Sequence, residues 1–372
     1  MKIGILGGGQ LGRMLLQESA NYPLYIKVLD PDARAPCAHL CHEFVVGDFA
    51  DEETVVAFGA DCDAIGIEIE HVSVAALRRL QAMGKRVIPD PEVLAMIQDK
   101  GVQKEFYARH GIPTAPFYLA AGVGEVDTTR LPLVQKTRTG GYDGKGVQVI
   151  VNEEDVGKLW DVPSIVETLC AIDKEIAAIF ASDGQGGYRL FPLVEMVFDP
   201  FLNLVDVVQM PAQLSPQVVA QAESICARLA GLFGAGLFAV EMFVNAEGEV
   251  WVNETACRVH NSGHVSIEAC FSSQFDQMLR LLAAWPLGDS RAFAAAAMIN
   301  LIGAEGQTGK AEMPGLQALL ARGQTHVHWY GKSEVRPGRK MGHVTLTAAR
   351  VEALEAAVAA LRAEVDLRVM AQ

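Results

Sequence analysis

The chain has 372 residues, 50% hydrophobic and 20% charged, which predicts two or three folded domains and excludes a disordered chain. Thirty-one Lys and Arg stand against 45 Asp and Glu, a net charge of -14, so neither sequence-independent nucleic-acid binding nor a polybasic membrane anchor is expected. The mean hydropathy is +0.20, but the longest apolar run, 292–304, is broken by Asn300 and is too short to cross a bilayer. No apolar segment of signal-peptide type follows Met1-Lys2. Seven cysteines without a C-x-x-C pair point to a reducing, cytoplasmic setting.

In chain order, residues 2–6 predict a buried strand, then a glycine loop, a helix at 11–20 and a strand at 25–29, a βαβ unit. Strands at 44–46, 63–69 and 86–88 alternate with helices at 52–59 and 73–83. That alternation predicts a doubly wound parallel α/β sheet, closing near Pro89-Asp90-Pro91. One helical stretch is expected over 92–110, ended by Gly111-Ile112-Pro113. From 131 the texture turns to antiparallel α+β, with strands at 133–137, 146–151, 164–168, 174–181 and 188–195. A helix at 216–233 leads into a hairpin of strands at 236–244 and 249–254. A third segment carries strands near 295–302, 325–330 and 341–347 and a closing helix at 350–364. The expected domains are 1–95, 96–290 and 291–372.

Two early clusters invite a ligand. Cys37, His39, Cys41 and His42 are zinc-binding residue types, but no second ligand pair follows at finger spacing, so a surface turn is the favoured reading. Gly7, Gly9 and Gly12 fit G-x-G-x-x-G between a strand and a helix, and Asp30 ends the next strand, as in dinucleotide-binding oxidoreductases. Backbone N–H groups at a helix start hold any phosphate, so NAD, another phosphate ligand and a bare turn all stay open.

A second glycine loop, 139–146, lies between two strands and is not a Walker A loop, because Thr139 and Gly146 stand where Gly and Ser or Thr are required. Its N–H groups suit a lid over phosphates, with Lys136 aimed at the same place. In the later hairpin, Glu241 is flanked by apolar residues and needs a reason to be there. If Val244 pairs with Glu249, then Glu241 faces Val252 and Glu254 lies diagonally on the same face, roughly 7–8 Å away between backbones. Two carboxylates with Asn253 alongside suit Mg²⁺ on nucleotide phosphates; the competing reading is two solvated strand-edge glutamates. Arg258, His260 and Asn261 follow at once and offer donors to a carboxylate or phosphorylated anion. Lys332, Arg336, Arg339 and Lys340 form either a phosphate clamp or a solvated loop.

Together, GGGQLGRM at 7–14, EIEHV at 68–72, QDK at 98–100, KTRTGGYDGKG at 136–146, VNE at 252–254, RVHNSGH at 258–264 and RPGRKMGH at 336–343 resemble the 5-(carboxyamino)imidazole ribonucleotide synthase family. This is an ATP-grasp family of purine biosynthesis. The resemblance implies an ATP-grasp fold with an N-terminal Rossmann-like (pre-ATP-grasp) domain and a small C-terminal α+β domain. It implies a carboxylating ligase that uses ATP with Mg²⁺ or Mn²⁺, and a homodimer. Bicarbonate would become carboxyphosphate, and the exocyclic amine of 5-aminoimidazole ribonucleotide would take up the carboxyl group, directly or from released CO2.

By the same resemblance, Lys100 and Lys136 would hold ATP phosphates, and Gly141, Tyr142, Asp143, Gly144 and Gly146 would close over them. Glu167 and Leu169 would meet adenine, Glu175 the ribose, and Glu241 and Glu254 the metal beside Asn253. Arg258, His260 and Asn261 would gather bicarbonate. Gln10, Glu70, Tyr142, Asp143, Arg258, Lys332 and Arg339 would hold the ribonucleotide, with Lys332 also among the catalytic residues. Two positions depart from the family: Phe198 stands where His is usual and Cys257 where Pro is usual. A formate-dependent purine transformylase, a nicotinamide oxidoreductase and a noncatalytic nucleotide sensor are the competing readings; the RVHNSGH segment favours bicarbonate over the first. Lys136, Glu241 and Glu254 speak against the sensor.

Overall fold

The computed structural model describes residues 1–141, 146–199 and 204–372. Its N-terminal part is a five-stranded parallel sheet in the order Glu43–Val46, Tyr25–Asp30, Lys2–Leu6, Ala64–Ile67, Arg86–Ile88. The central strands are apolar almost throughout because both their faces are covered. Strand order reverses between Lys2–Leu6 and Ala64–Ile67, which opens a crevice at their carboxyl ends.

The single helix expected over 92–110 is two helices, Pro91–Ile97 and Lys100–Arg109. Asp99 is the reason. Its carboxylate accepts from the N–H groups of Gly101 and Val102, so it caps a new helix start where a continuous helix would have run. Lys100 is thereby set at the first turn of the second helix.

A four-stranded antiparallel sheet follows in the order Phe117–Ala120, Ser164–Thr168, Leu133–Thr137, Val147–Ile150. The first of these was not among the expected strands. The second glycine loop joins the last two in chain order.

The largest sheet has nine strands. Along its main path run Val250–Ala256, Ala235–Asn245, Ile172–Asp183, Val194–Asp199, Leu204–Met210, Ala295–Ile302, Lys340–Ala348 and Thr325–Trp329. The strand expected over 188–195 is two, Tyr188–Leu190 and Val194–Asp199, both laid against Ile172–Asp183. An extra residue interrupts that ladder, since Leu190 pairs with Phe180 but Val194 with Ala177. Leu204–Met210, also unexpected, pairs with Ala295–Ile302, so the sheet runs past residue 291 without a break.

From Ile176 to Ser182 the strand Ile172–Asp183 is buried on both faces. Ile176, Ala178 and Phe180 pack with helix Pro216–Phe233, whereas Ala177, Ile179 and Ala181 pack with helix Gln274–Ala283. The second helix also touches helix Gln10–Ser19 and strands Ala64–Ile67 and Arg86–Ile88, which fixes the N-terminal sheet against the large one. A smaller core under Val351–Glu364 closes the C-terminal part. Among the described residues no helix is long and apolar enough to cross a membrane.

Candidate active site

The carboxylate hairpin is built differently from the regular ladder that the sequence predicts. Val244 pairs with Val250, Phe243 with Trp251 and Met242 with Val252, but Glu241 then pairs with Glu254. Asn253 is the extra residue. The bulge resets the alternation, so that Val250, Val252 and Thr255 are all buried while Glu254 comes directly opposite Glu241. The expected diagonal relation, with Glu241 facing Val252, is therefore corrected to a direct one. Burial pushes the Glu241 carboxyl up, while Lys100, Lys340, a hydrogen bond from Asn253 and Lys136 pull it back. A carboxylate only 18% exposed and facing another calls for a cation between them. Glu254 finds one in Lys100, with which it forms an ion pair.

Lys136, on Leu133–Thr137, reaches the same place. Its Nζ lies 2.7 Å from Glu167 Oε2 and donates to Asn253 Oδ1 at 2.8 Å. The Glu167 carboxylate is itself shared, since Lys104 Nζ stands 2.8 Å from its other oxygen. Burial would raise the Glu167 carboxyl, but the two ammonium groups win and hold it at about 2. Lys104 has only half a carboxylate and does not recover its own desolvation, so burial pushes it down to about 8. Any adenine contact at Glu167 falls to its backbone, because the side chain is committed. Burial first, then the charge of Glu241, pushes Glu175 up to about 7. Leu169 is half-buried beside Pro132, whose carbonyl accepts its N–H. Lys104 was missed in the sequence, although Lys100 and Lys104 lie one turn apart on one helix face.

The second glycine loop is described only at its ends. Gly141 leads in, and Gly146 closes the hairpin with φ of +82°, its carbonyl accepting from Thr137 N–H. Tyr142, Asp143 and Gly144 lie outside the described residues.

The segment 258–264 lies against the hairpin. His260 Nε2 is 3.5 Å from Glu241 Oε1, and its Nδ1 bonds the Ser262 hydroxyl. Gln274 holds His260 by its backbone: the His260 N–H donates to Gln274 Oε1 and the Gln274 amide donates to the His260 carbonyl, both at 2.8 Å. His264 Nδ1, 3.0 Å from Gln274 Nε2, fixes the orientation of that amide. Gly263 is required here, since a Cβ would come 2.4 Å from Gln274 Oε1. Sequence reasoning missed Gln274, and no local signal could have revealed it. Asn261 is buried and exchanges two hydrogen bonds of 3.0 Å with Asn300. Its side chain secures the loop rather than standing open as a donor.

The remaining candidates gather at the rim of the N-terminal sheet. Arg258 Nε lies 3.3 Å from Glu70 Oε1. Lys332 Nζ donates to Gln10 Oε1 at 2.7 Å and to the Lys340 carbonyl at 2.6 Å, across 322 residues of sequence in the first case. Arg339 donates to the Glu334 carbonyl at the turn of the basic loop. Phe198 packs against the core and Cys257 is buried. The Cys37–His42 cluster is not a metal centre: Cys37 is buried against Gly9, and His42 Nδ1 accepts from Ile26 N–H. Among the described residues no group of three or more His, Cys, Asp or Glu is placed to hold a metal.

Lys100 and Lys136, brought from a helix and one antiparallel sheet to a paired-carboxylate hairpin on another, beside a doubly wound N-terminal sheet, form the arrangement of an ATP-grasp ligase. The descriptions that match divide the chain accordingly: a ribonucleotide synthetase preATP-grasp domain over residues 1–98, an ATP-grasp domain over 105–275 and a phosphoribosylaminoimidazole carboxylase C-terminal domain over 296–357. An N5-carboxyaminoimidazole ribonucleotide synthase from Synechococcus elongatus is 35% identical over 356 residues, 92% of this chain and 89% of that one. The crystal structure of N5-carboxyaminoimidazole ribonucleotide synthetase from Thermotoga maritima superposes with a TM-score of 0.91 at 38% identity, covering 100% of this chain and 99% of that one. The Aspergillus clavatus enzyme in complex with ADP and 5-aminoimidazole ribonucleotide superposes with a TM-score of 0.87 at 30% identity, over 97% of each chain. The chain belongs to the N5-carboxyaminoimidazole ribonucleotide synthase family.

Proposed function

We propose that this chain carboxylates 5-aminoimidazole ribonucleotide with bicarbonate at the expense of ATP, yielding the N-carboxylated ribonucleotide, ADP and phosphate. The observation that carries this reading is the approach of His260 to Glu241, 3.5 Å away beside the Glu241–Glu254 pair, as an anion pocket next to a phosphate site would require. A bicarbonate oxygen attacks the γ-phosphorus and ADP leaves. The exocyclic amine then bonds to the carboxyl carbon, directly or after release of CO2, and loses a proton; phosphate departs. Phosphoryl transfer needs positioning and charge neutralisation above all.

Lys100 and Lys136 supply positive charge at the ATP phosphates, and the loop at 140–146 excludes water that would destroy carboxyphosphate. Gly141, Tyr142, Asp143, Gly144 and Gly146 belong to that cover. The backbone at Glu167 and Leu169 faces adenine, and Glu175 the ribose. Arg258 and His260 bind bicarbonate, with Asn261 holding their loop through Asn300. Gln10, Glu70, Lys332 and Arg339 bind the ribonucleotide. Glu241 and Glu254, with Asn253 beside them, would hold Mg²⁺ or Mn²⁺, which supplies charge neutralisation when bound. Residues 1–95 and 291–372 serve the ribonucleotide and 96–290 the nucleotide. The active form is a homodimer in the cytoplasm; the aromatic pair Phe271–Phe293, its members 63% and 58% exposed, is an apolar patch that a second copy would cover.

The experiment is phosphate release from ATP with Mg²⁺ and bicarbonate, with and without 5-aminoimidazole ribonucleotide. Stimulation by the ribonucleotide that disappears when bicarbonate is stripped supports the reading. Stimulation by formate instead would assign the chain to transformylation.

A further inference from the structure

The glycine loop at 7–12 has the dinucleotide pattern, yet its N–H donors at Gly8, Gly9 and Gly12 are already taken from within the chain. Gly8 N–H donates to Asp30 Oδ2 at 2.7 Å. Gly9 N–H donates to Glu68 Oε1 at 2.7 Å, and Gly12 N–H to Glu68 Oε2 at 2.8 Å. Glu68 follows strand Ala64–Ile67, on the far side of the strand-order reversal from the loop. Its carboxylate therefore lies in the crevice where doubly wound sheets take their ligands. The glycines suit this occupant. A Cβ at Gly7 would come 2.6 Å from Glu68 Cγ, and one at Gly9 2.7 Å from Glu68 Oε1. Asp30, at the position that meets a dinucleotide ribose, is spent on Gly8.

Two arms of the site extend from this anchor. Gln10 is the residue after Gly9, and its side chain takes the hydrogen bond from Lys332. Glu70 is two residues after Glu68, and its carboxylate faces Arg258. One buried carboxylate thus fixes the roots of both.

We propose that Glu68 is an internal anion that fills the glycine loop, positions Gln10 and Glu70 for the ribonucleotide, and bars a phosphate ligand from the Gly9 and Gly12 N–H groups. The positioning half rests on the ligase reading above; the filled loop does not. Glu68 touches no substrate and is a positioning residue.

Two variants of the full chain test this. Glu68→Gln keeps the shape but leaves one acceptor oxygen for two N–H donors. It raises KM for 5-aminoimidazole ribonucleotide at least tenfold and leaves KM for ATP and for bicarbonate within twofold. Glu68→Ser empties the seat, and calorimetric titration with inorganic sulfate finds one site that the wild type lacks. Equal losses toward all three substrates, or an unchanged ribonucleotide KM, overturn the positioning role. Sulfate binding no stronger in Glu68→Ser than in the wild type overturns the filled loop. If Glu68→Ser does not fold, the KM split in Glu68→Gln still decides the positioning role. A wild-type chain that ignores the ribonucleotide overturns the ligase reading, and the sulfate titration is decided without turnover.

Discussion

Glu241 and Glu254 stand opposite each other across a two-stranded ladder because Asn253 is surplus to the register. In a regular ladder Glu254 would pair one step further on, with Val240, and turn toward the apolar side of the sheet. The pair has like charges at close range and gains nothing for stability by itself. Glu254→Ala is therefore expected to lower phosphate release by more than about 100-fold, since even indirect partners of a metal cost about 10–100-fold. Thermal unfolding should change little, since relief of the like-charge repulsion offsets the lost ion pair with Lys100. Retained turnover would remove the metal assignment.

The shared carboxylate of Glu167 makes a pH prediction. Its pKa is about 2 in the folded chain and ordinarily 4.5, so its stabilising contribution is present above about pH 4.5 and is lost as pH falls toward 2. Glu167→Gln strands Lys104 and Lys136 without a counter-charge. The expected cost at pH 7 is roughly 3–5 kcal/mol. Urea unfolding at pH 7 and pH 3 checks it. The gap between wild type and variant must narrow at the lower pH.

Gln274 grips the His260 backbone with both ends of one amide. Gln274→Glu turns the donor end into an acceptor facing the His260 carbonyl and His264 Nδ1. Leaving a buried donor or acceptor unmet costs about 1–3 kcal/mol. The loop should shift, and the bicarbonate KM should rise about tenfold, the kinetic equivalent of 1.4 kcal/mol. ATP affinity should stay as it is. Bicarbonate and ATP titrations of the variant, with a melting curve alongside, separate this from general unfolding.

Lys332 and Gln10 form a charge-assisted hydrogen bond between the two ends of the sequence. Such a bond is worth about 1.5–3 kcal/mol. Lys332→Met and Gln10→Ala should each raise the ribonucleotide KM, and the double variant should raise it by less than the product. A double-mutant cycle on that KM measures the coupling. Strict multiplicativity would show that the two side chains act separately.

The parts of this molecule that were legible are those governed by short-range rules. The parallel sheet showed itself through apolar strands alternating with helices, two of which begin at Asp51 and Ser73 caps. The carboxylate hairpin was legible in its residues but not in its register. Its surplus residue, Asn253, takes a hydrogen bond from Lys136 on another sheet, and no window of sequence contains both. Helix Gln274–Ala283 was missed although Phe275, Met278, Leu279 and Leu282 recur at helical spacing; it ends at Ala284 in a left-handed conformation with no glycine to mark the stop. The break at Asp99 was there to be read, since Asp followed by a helical run is a cap signal. Asn261 as an open donor was plausible until Asn300 arrived from a strand of the third segment.

The uninterrupted sheet across residue 291 bears on how such a protein could be cut or recombined. Val207–Met210 are paired residue for residue with Ala296–Ile299. Cleaving there would bare the polar backbone of an apolar strand in the middle of a sheet, a template for self-association rather than a clean surface. It would also strip Asn261 of its partner. Chimeras that exchange C-terminal segments between relatives are therefore expected to succeed only when Leu204–Met210 and the 258–264 loop travel with the graft, so that the unit of inheritance here is a seam of the sheet rather than a stretch of chain.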